Sequence, residues 1–79
     1  MRSLSGKRYW LVGASEGLGA ALAQRMSAAG AYVILSARSE ARLKAVASEL
    51  SGPCRCEPVD VTDIGSVRAA AKRIGPVDG

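Results

Sequence analysis

Short apolar runs alternate three times with segments of helical spacing along the 79 residues of the chain. The runs occupy 9–12, 31–37 and 54–59. The first two lack polar alternation, which predicts strands covered on both faces. A strand-helix order repeated in this way is typical of parallel βαβ units joined by right-handed crossovers. The pattern therefore predicts an α/β fold built as part of a doubly wound parallel sheet.

Three amphipathic helices are expected between and after these runs. The first covers 17–29, and the second starts after a capping serine, Ser39, and stops before Ser51-Gly52-Pro53. The third starts at Thr62 or Asp63 and ends at Gly75-Pro76. Apolar residues at helical spacing predict the buried stripes, which are Leu18, Ala21, Leu22, Met26 and Ala29 in the first helix, Leu43, Val46, Ala47 and Leu50 in the second, and Val67, Ala70, Ala71 and Ile74 in the third.

The third run gives a weaker strand signal than the other two. Arg55 and Glu57 alternate with Cys54 and Cys56, and Pro58 cannot donate to a ladder. An edge position in the sheet suits this run.

Charge and cysteine content exclude several classes of protein. The 11 basic and 7 acidic residues are scattered, so their net charge of +4 favours a solvated surface over a nucleic-acid patch, and aromatic residues are too few to stack bases. Two cysteines and no histidine cannot form a four-ligand zinc site. With no secretory leader pattern and no apolar run of about 20 residues, we expect a cytoplasmic protein without a metal or a membrane span.

The stretch VGASEGLG places Gly13, Gly17 and Gly19 where the first strand gives way to the first helix. Backbone amides at a helix N-terminus, together with the helix dipole, attract anions. In that context Gly13 would permit a sharp turn, Gly17 would let a pyrophosphate approach the backbone, and Gly19 would let the helix pack closely. The alternative is that the glycines serve a tight turn alone.

This spacing, G-x-x-x-G-x-G, resembles the first turn of the short-chain dehydrogenase/reductase family, T-G-x-x-x-G-x-G. The three glycines match, Ser15 matches a position often occupied by serine, and Val12 departs from the usual threonine. The resemblance implies one partial Rossmann-like dinucleotide-binding domain over 1–79, with three strands in the order 3-2-1 and an end before the fourth. Glu16 and Leu18, between the matched glycines, join the expected cofactor-binding residues.

The end of the second strand bears on the choice of cofactor. Dinucleotide folds read the ribose 2′ position there, and this chain has Ala37-Arg38 rather than a carboxylate. Within the resemblance, Ala37 stands where NAD-binding members are acidic and Arg38 where many NADP-binding members are basic. We therefore expect NADP(H) in preference to NAD(H), although Arg38 could be an ordinary loop arginine and Glu16 could repel a phosphate or pair with it.

The end of the third strand reads Asp60-Val61-Thr62-Asp63. Because ligands gather at the carboxyl ends of parallel strands, this stretch shares a rim with the glycines. In the resembling family, the residues at Asp60 and Val61 contact adenine. Capping of the following helix by Thr62 or Asp63 is a compatible alternative.

No catalytic residue can be carried over from the family. Its Tyr-x-x-x-Lys pair is not formed here, since Gly13 follows Tyr9 and Ser36 follows Tyr32 at that spacing. The resemblance implies the NADP(H)-binding portion of an oxidoreductase that moves hydride between nicotinamide and a carbonyl or alcohol substrate; a non-catalytic nucleotide-binding or sensing module is the alternative. The outer edge of the first strand would be exposed, which predicts self-association.

Overall fold

A computed structural model describes residues 4–14 and 17–79. It contains three strands and three helices in alternation, which are β1 (Arg8–Val12), α1 (Gly17–Ala28), β2 (Tyr32–Ser36), α2 (Glu40–Ala47), β3 (Cys54–Cys56) and α3 (Ile64–Ile74). All neighbouring strands are parallel and the sheet order is β1-β2-β3, the predicted 3-2-1 seen from the opposite edge. The α/β fold and the strand order are confirmed.

The central strand β2 separates two apolar clusters. Val33 and Leu35 face the cluster that contains Ala23 of α1 and Leu43 of α2. Ile34 faces the opposite cluster, which contains Val59 with Ala70 and Ile74 of α3. Helices therefore cover both faces of the sheet, with α1 and α2 on one side and α3 on the other. This double cover explains why β2 carries no polar alternation.

The predicted buried stripe of α1 is wrong. Leu18 is 91% exposed and Leu22 is 48% exposed, whereas Ala23 and Ser27 are buried against the sheet. Small side chains let the helix lie close to β1 and β2, and Ser27 also accepts a hydrogen bond from Gly52 N at 2.9 Å. Leu18 and Leu22 occupy the outer face instead, whereas Met26 is partly buried and packs against the core. The other members of the predicted stripe are exposed or partly buried: Ala21, Met26 and Ala29.

Both predicted N-caps of the later helices are present. Ser39 caps α2 by accepting a hydrogen bond from Arg42 N, and Asp63 caps α3 by accepting from Gly65 N and Ser66 N. Two details of the predicted stripes differ. Leu50 lies beyond the end of α2, although it still packs on the core, and Ala71 of α3 is exposed.

Strand β3 is shorter than predicted, although Glu57 N donates to Leu35 O and Val59 N donates to Ala37 O beyond its end. Its edge position in the described sheet is confirmed. Glu57, which follows β3, is buried. Its carboxylate accepts a hydrogen bond from Arg73 Nε and lies 3.0 Å from Arg55 Nη2. Two guanidinium groups thus offset the cost of burying this charge.

The end of the chain lies along the outer edge of β1. Asp78 N donates to Arg8 O at 2.7 Å, and Trp10 N donates to Gly79 O at 2.9 Å. Arg8 N also donates to the Asp78 carboxylate at 2.7 Å. The edge that was predicted to be exposed is therefore paired over its first half, and Val12 lies beyond the paired stretch.

Candidate functional site

An open cleft of about 220 Å³ lies at the carboxyl ends of the three strands. Its lining combines residues that follow each strand: Val12, Gly13, Ala37, Arg38, Val59, Asp60 and Val61. Five of the ten sequence-predicted site residues are in this lining. A parallel sheet accounts for the convergence, because its strands all end at the same rim.

Three other predicted site residues, Gly17, Leu18 and Gly19, are not in the cleft lining. Gly17 and Gly19 are in the first turn of α1, which begins beside the cleft. Leu18 is almost fully exposed and lines a separate groove on the outer face of α1 with Leu22 and Arg25. Ser15 and Glu16 lie outside the described residues.

The turn out of β1 depends on Gly13. Its φ of +80° is in the left-handed region that side chains disfavour. In this conformation the N–H groups of Gly13 and Ala14 both donate to Ser36 O, at 2.7 and 3.2 Å. The turn is thus held against the end of β2, and these two donors are already used within the protein.

Gly19 fixes how closely α1 approaches that turn. A Cβ added at Gly19 would lie closer than 3.0 Å to Gly13 O and 3.1 Å from Ala14 Cα. Both contacts are with backbone, which cannot rotate away. At the start of α1, Gly17 has φ +61° and nothing within 4 Å of the place where a Cβ would stand. The first N–H groups of a helix have no intrahelical partner, so the amides of the α1 N-terminus are the donors that this site offers to an anion.

Arg38 and Asp60 form the charged wall of the cleft. Arg38 Nη2 lies 3.7 Å from Asp60 Oδ1, and the two side chains are 78% and 43% exposed. The backbone beneath them is tied together, since Val59 N donates to Ala37 O at 3.0 Å. An arginine this exposed can move to a ligand, because an exposed ion pair of this kind is weak.

The Asp60 carboxylate also organises its own loop. Its Oδ1 accepts hydrogen bonds from Thr62 Oγ1 at 2.6 Å and from Thr62 N at 3.0 Å. These two bonds, aided by the nearby Arg38 charge, hold the pKa of Asp60 below its usual value. The carboxylate is therefore charged at neutral pH, and Thr62 serves this turn while Asp63 caps α3.

A family model described as short chain dehydrogenase matches residues 7–79. This chain belongs to that family. A fatty acyl-CoA reductase of Acinetobacter baylyi is 35% identical over 75 residues, which cover 91% of this chain and 25% of that protein. An L-xylulose reductase of Mesocricetus auratus is 35% identical over 75 residues, 95% of this chain and 30% of the relative.

Solved structures of short-chain dehydrogenases superpose closely on this chain. A metagenomic short-chain oxidoreductase in complex with NADP has a TM-score of 0.89 and 35% identity, covering 91% of this chain and 34% of that one. The Pseudomonas aeruginosa RhlG/NADP active-site complex has a TM-score of 0.86 and 33% identity, covering 92% and 29%. The chain spans about a quarter to a third of the length of these relatives.

One feature of this short-chain dehydrogenase site was missed by sequence reasoning. Trp10 Nε1 donates to Ser36 Oγ at 2.7 Å, and Ser36 Oγ donates to Glu57 O at 2.7 Å. This chain of hydrogen bonds joins β1, β2 and the end of β3 directly below the cleft. The one sequence signal was a serine near the end of the apolar run 31–37, and that pattern does not identify its hydrogen-bond partners.

Within residues 4–14 and 17–79, no group of three or more His, Cys, Asp or Glu side chains is placed to hold a metal ion. None of the helices in these ranges has the length and apolar character needed to span a bilayer.

Proposed function

We propose that this short-chain dehydrogenase chain binds NADP(H) at the carboxyl rim of its sheet and supplies the cofactor recognition of an oxidoreductase. The observation that carries the proposal is the placement of Gly13, Arg38 and Asp60 around one cleft, with Ala37 where a ribose-binding carboxylate would stand. The NADP complexes among the structural neighbours support the same assignment.

The pyrophosphate would sit at the N-terminus of α1. There the helix dipole is positive and the first amides have no intrahelical acceptor. Gly17 leaves the space above its Cα open, so a phosphate oxygen can approach the backbone. Gly13 and Gly19 contribute by shape, because they bring the turn and the helix start to the position that the phosphate requires.

The ribose 2′-phosphate would bind Arg38. The guanidinium is mobile enough to leave Asp60 and make two charge-assisted hydrogen bonds to phosphate. Ala37 is buried and carries no charge, so a 2′-phosphate meets no carboxylate at the end of β2. A 2′-hydroxyl would lack the acceptor that NAD-selective sites provide. This is the basis for NADP(H) over NAD(H).

Adenine would pack against the wall formed by Asp60 and Val61. Val61 is exposed at the cleft and offers an apolar surface to a base. The Asp60 carboxylate, fixed by its bonds to Thr62, can accept from an exocyclic amine.

The bound nicotinamide would supply the hydride acceptor or donor for a carbonyl or alcohol substrate. In this sequence no tyrosine stands four positions before a lysine. We therefore propose that these 79 residues recognise the cofactor but do not turn over a substrate on their own.

We also propose that the chain self-associates through the outer edge of β1. In a parallel strand alternate N–H groups point to one edge, so Val12 N faces the same side as Arg8 N and Trp10 N. The Asp78 and Gly79 backbone covers the first half of that edge, which leaves the Val12 end able to pair with another chain.

Isothermal titration of the 79-residue chain with NADP⁺ and NAD⁺ tests the proposed function. We expect saturable binding of NADP⁺ that is at least about tenfold tighter than binding of NAD⁺, the scale of one charged hydrogen bond. Equal affinities would contradict the role of Arg38, and no binding of either cofactor would overturn the proposal.

A further inference from the structure

Ser36, the last residue of β2, makes hydrogen bonds to β1, to the glycine turn and to the backbone after β3. Its side chain is completely buried. Its hydroxyl accepts from Trp10 Nε1 of β1 and donates to Glu57 O after β3, both at 2.7 Å. Its carbonyl accepts the N–H groups of Gly13 and Ala14. The hydroxyl and the carbonyl of Ser36 are thus both engaged within the protein.

We infer that Ser36 is the positioning residue of the cofactor site. Its hydroxyl ties Trp10 of β1 to the backbone before the Asp60 loop, and its carbonyl holds the glycine turn. Together these bonds keep the turn, the Arg38 loop and the Asp60 loop at the spacing that a bound dinucleotide requires. The inference rests on the proposed function. Ser36 is buried and would not touch the cofactor, but it would help to set the affinity of the site for the cofactor.

Few residues separate Ser36 from the walls of the cleft, so a displacement of Ser36 reaches those walls directly. Arg38 follows two residues later, and Asp60 follows Glu57 by three. Gly13 is tied to the Ser36 carbonyl at 2.7 Å. A shift of Ser36 therefore moves the glycine turn and the Arg38 wall relative to the Asp60 loop.

The hydroxyl is the part of Ser36 that an alanine would remove. Without it, Trp10 Nε1 loses its acceptor in a partly buried position and Glu57 O loses its donor in a buried one. The Glu57 side chain would stay anchored by Arg73. The end of β3 would then keep its place while β1 and β2 adjust, which changes the distance across the cleft.

Ser27 provides a matched control. It is also buried, and its Oγ accepts a hydrogen bond from Gly52 N at 2.9 Å. It lies in the last turn of α1, at the opposite end of that helix from the cleft. Ser27→Ala and Ser36→Ala both remove a buried hydroxyl and should both lower stability, but only one of them lies beneath the site.

The first measurement is NADP⁺ affinity of the full chain by isothermal titration. We expect Ser36→Ala to raise Kd about five- to tenfold, the equivalent of one hydrogen bond, and Ser27→Ala to change it less than about twofold. Ser36→Thr keeps a hydroxyl and should restore most of the affinity. Trp10→Phe removes the indole donor from a partly buried site and should give an intermediate loss, which keeps the test decisive if Ser36→Ala does not fold.

The second measurement needs no cofactor. Amide hydrogen exchange should be about tenfold faster at Gly13 and Ala14 in Ser36→Ala or Trp10→Phe than in wild type or Ser27→Ala. Both variants keep the Ser36 carbonyl that accepts from these amides, but they lose the bond between Trp10 and Ser36 that holds β1 against β2 beside the turn. Unchanged exchange together with unchanged Kd in both variants would overturn the positioning role. Failure of wild type to bind NADP⁺ would instead overturn the proposed function, whichever way the exchange rates fall.

Discussion

Arg38 and Asp60 lie 3.7 Å apart across the ends of β2 and β3, guanidinium to carboxylate. Each is exposed, and each has a proposed partner in the cofactor: the 2′-phosphate for Arg38 and adenine for Asp60. Without cofactor the two charges satisfy each other. In the proposed complex, binding of NADP⁺ would exchange this weak internal ion pair for a stronger charge-assisted contact with phosphate.

Replacing Asp60 by asparagine should sharpen the preference for NADP⁺. Asp60→Asn keeps an oxygen for the bonds to Thr62 but removes the negative charge that competes with phosphate for Arg38. We expect the ratio of NAD⁺ to NADP⁺ dissociation constants to rise about two- to fivefold at low salt and less at high salt, as for exposed charges. Titrations at two salt concentrations check this, and a fall in the ratio would contradict it.

The same variant gives a dependence on pH with a defined sign. Because the pKa of Asp60 is lowered in the folded chain, its charge adds stability above the usual aspartate pKa, and this contribution is lost as pH falls through the lowered value. Urea unfolding should therefore separate wild type from Asp60→Asn most clearly at neutral pH and least in acid. A difference that grows in acid would refute the sign.

Gly19→Ala should destabilise the chain although alanine is the better helix former. The new Cβ would meet Gly13 O and Ala14 Cα, so α1 must move away from the glycine turn. We expect a loss of about 1–3 kcal/mol in the free energy of unfolding, the usual cost of overpacking. The control is Gly65→Ala in the first turn of α3, where the added Cβ meets a side-chain atom, Asp63 Oδ1, and no backbone. Equal effects of the two variants on urea unfolding would contradict the close packing of α1.

Sedimentation velocity over a concentration series tests the open edge of β1. We expect the mean sedimentation coefficient to rise with concentration, and Val12→Lys to reduce that rise, because a charged edge residue discourages strand pairing. A monodisperse monomer at all concentrations of the wild-type chain would show that Asp78 and Gly79 protect the edge sufficiently.

Cys56 should react slowly with alkylating reagents. Burial, followed by the neighbouring Cys54, raises the pKa of the Cys56 thiol above its ordinary value, so it carries less thiolate at pH 8 than a free cysteine does. Stability linked to this thiol is fully present below the unfolded pKa and falls as pH rises towards the folded one. Iodoacetamide modification in a Cys54→Ser background, compared with the urea-unfolded chain, measures this. An equal rate in the folded state would contradict the shielding.

The sequence was sufficient for the sheet but not for the packing of α1. The apolar runs predicted all three strands, and the resemblance to the family implied their order. For α1, the spacing of Leu18 and Leu22 predicted the wrong face. The periodicity of large apolar residues does not show how closely the helix approaches the sheet. The face with Ala23 and Ser27 is buried instead because small residues let the helix lie close to the sheet, and Gly19 lets its first turn lie against Gly13.

In the candidate site, too, the sequence indicated local motifs but not the pairings between distant residues. The glycine spacing and Arg38 were readable because their chemistry is local to one turn or one strand end. The bond from Trp10 to Ser36 joins residues 26 positions apart, and the burial of Glu57 depends on Arg73 of α3. Such pairings follow from the register of the sheet and from helix placement, neither of which a single sequence pattern specifies.

The most direct test of the account compares two arginine variants in NADP⁺ and NAD⁺ titrations of the full chain. Arg38→Ala should weaken NADP⁺ binding by roughly 1.5–3 kcal/mol, the scale of a charged hydrogen bond, and leave NAD⁺ binding nearly unchanged. Arg25→Ala, which removes the same charge from the far end of α1, should alter neither. Equal losses for both cofactors in Arg38→Ala, or equal effects of the two variants, would contradict the assignment of Arg38 to the 2′-phosphate.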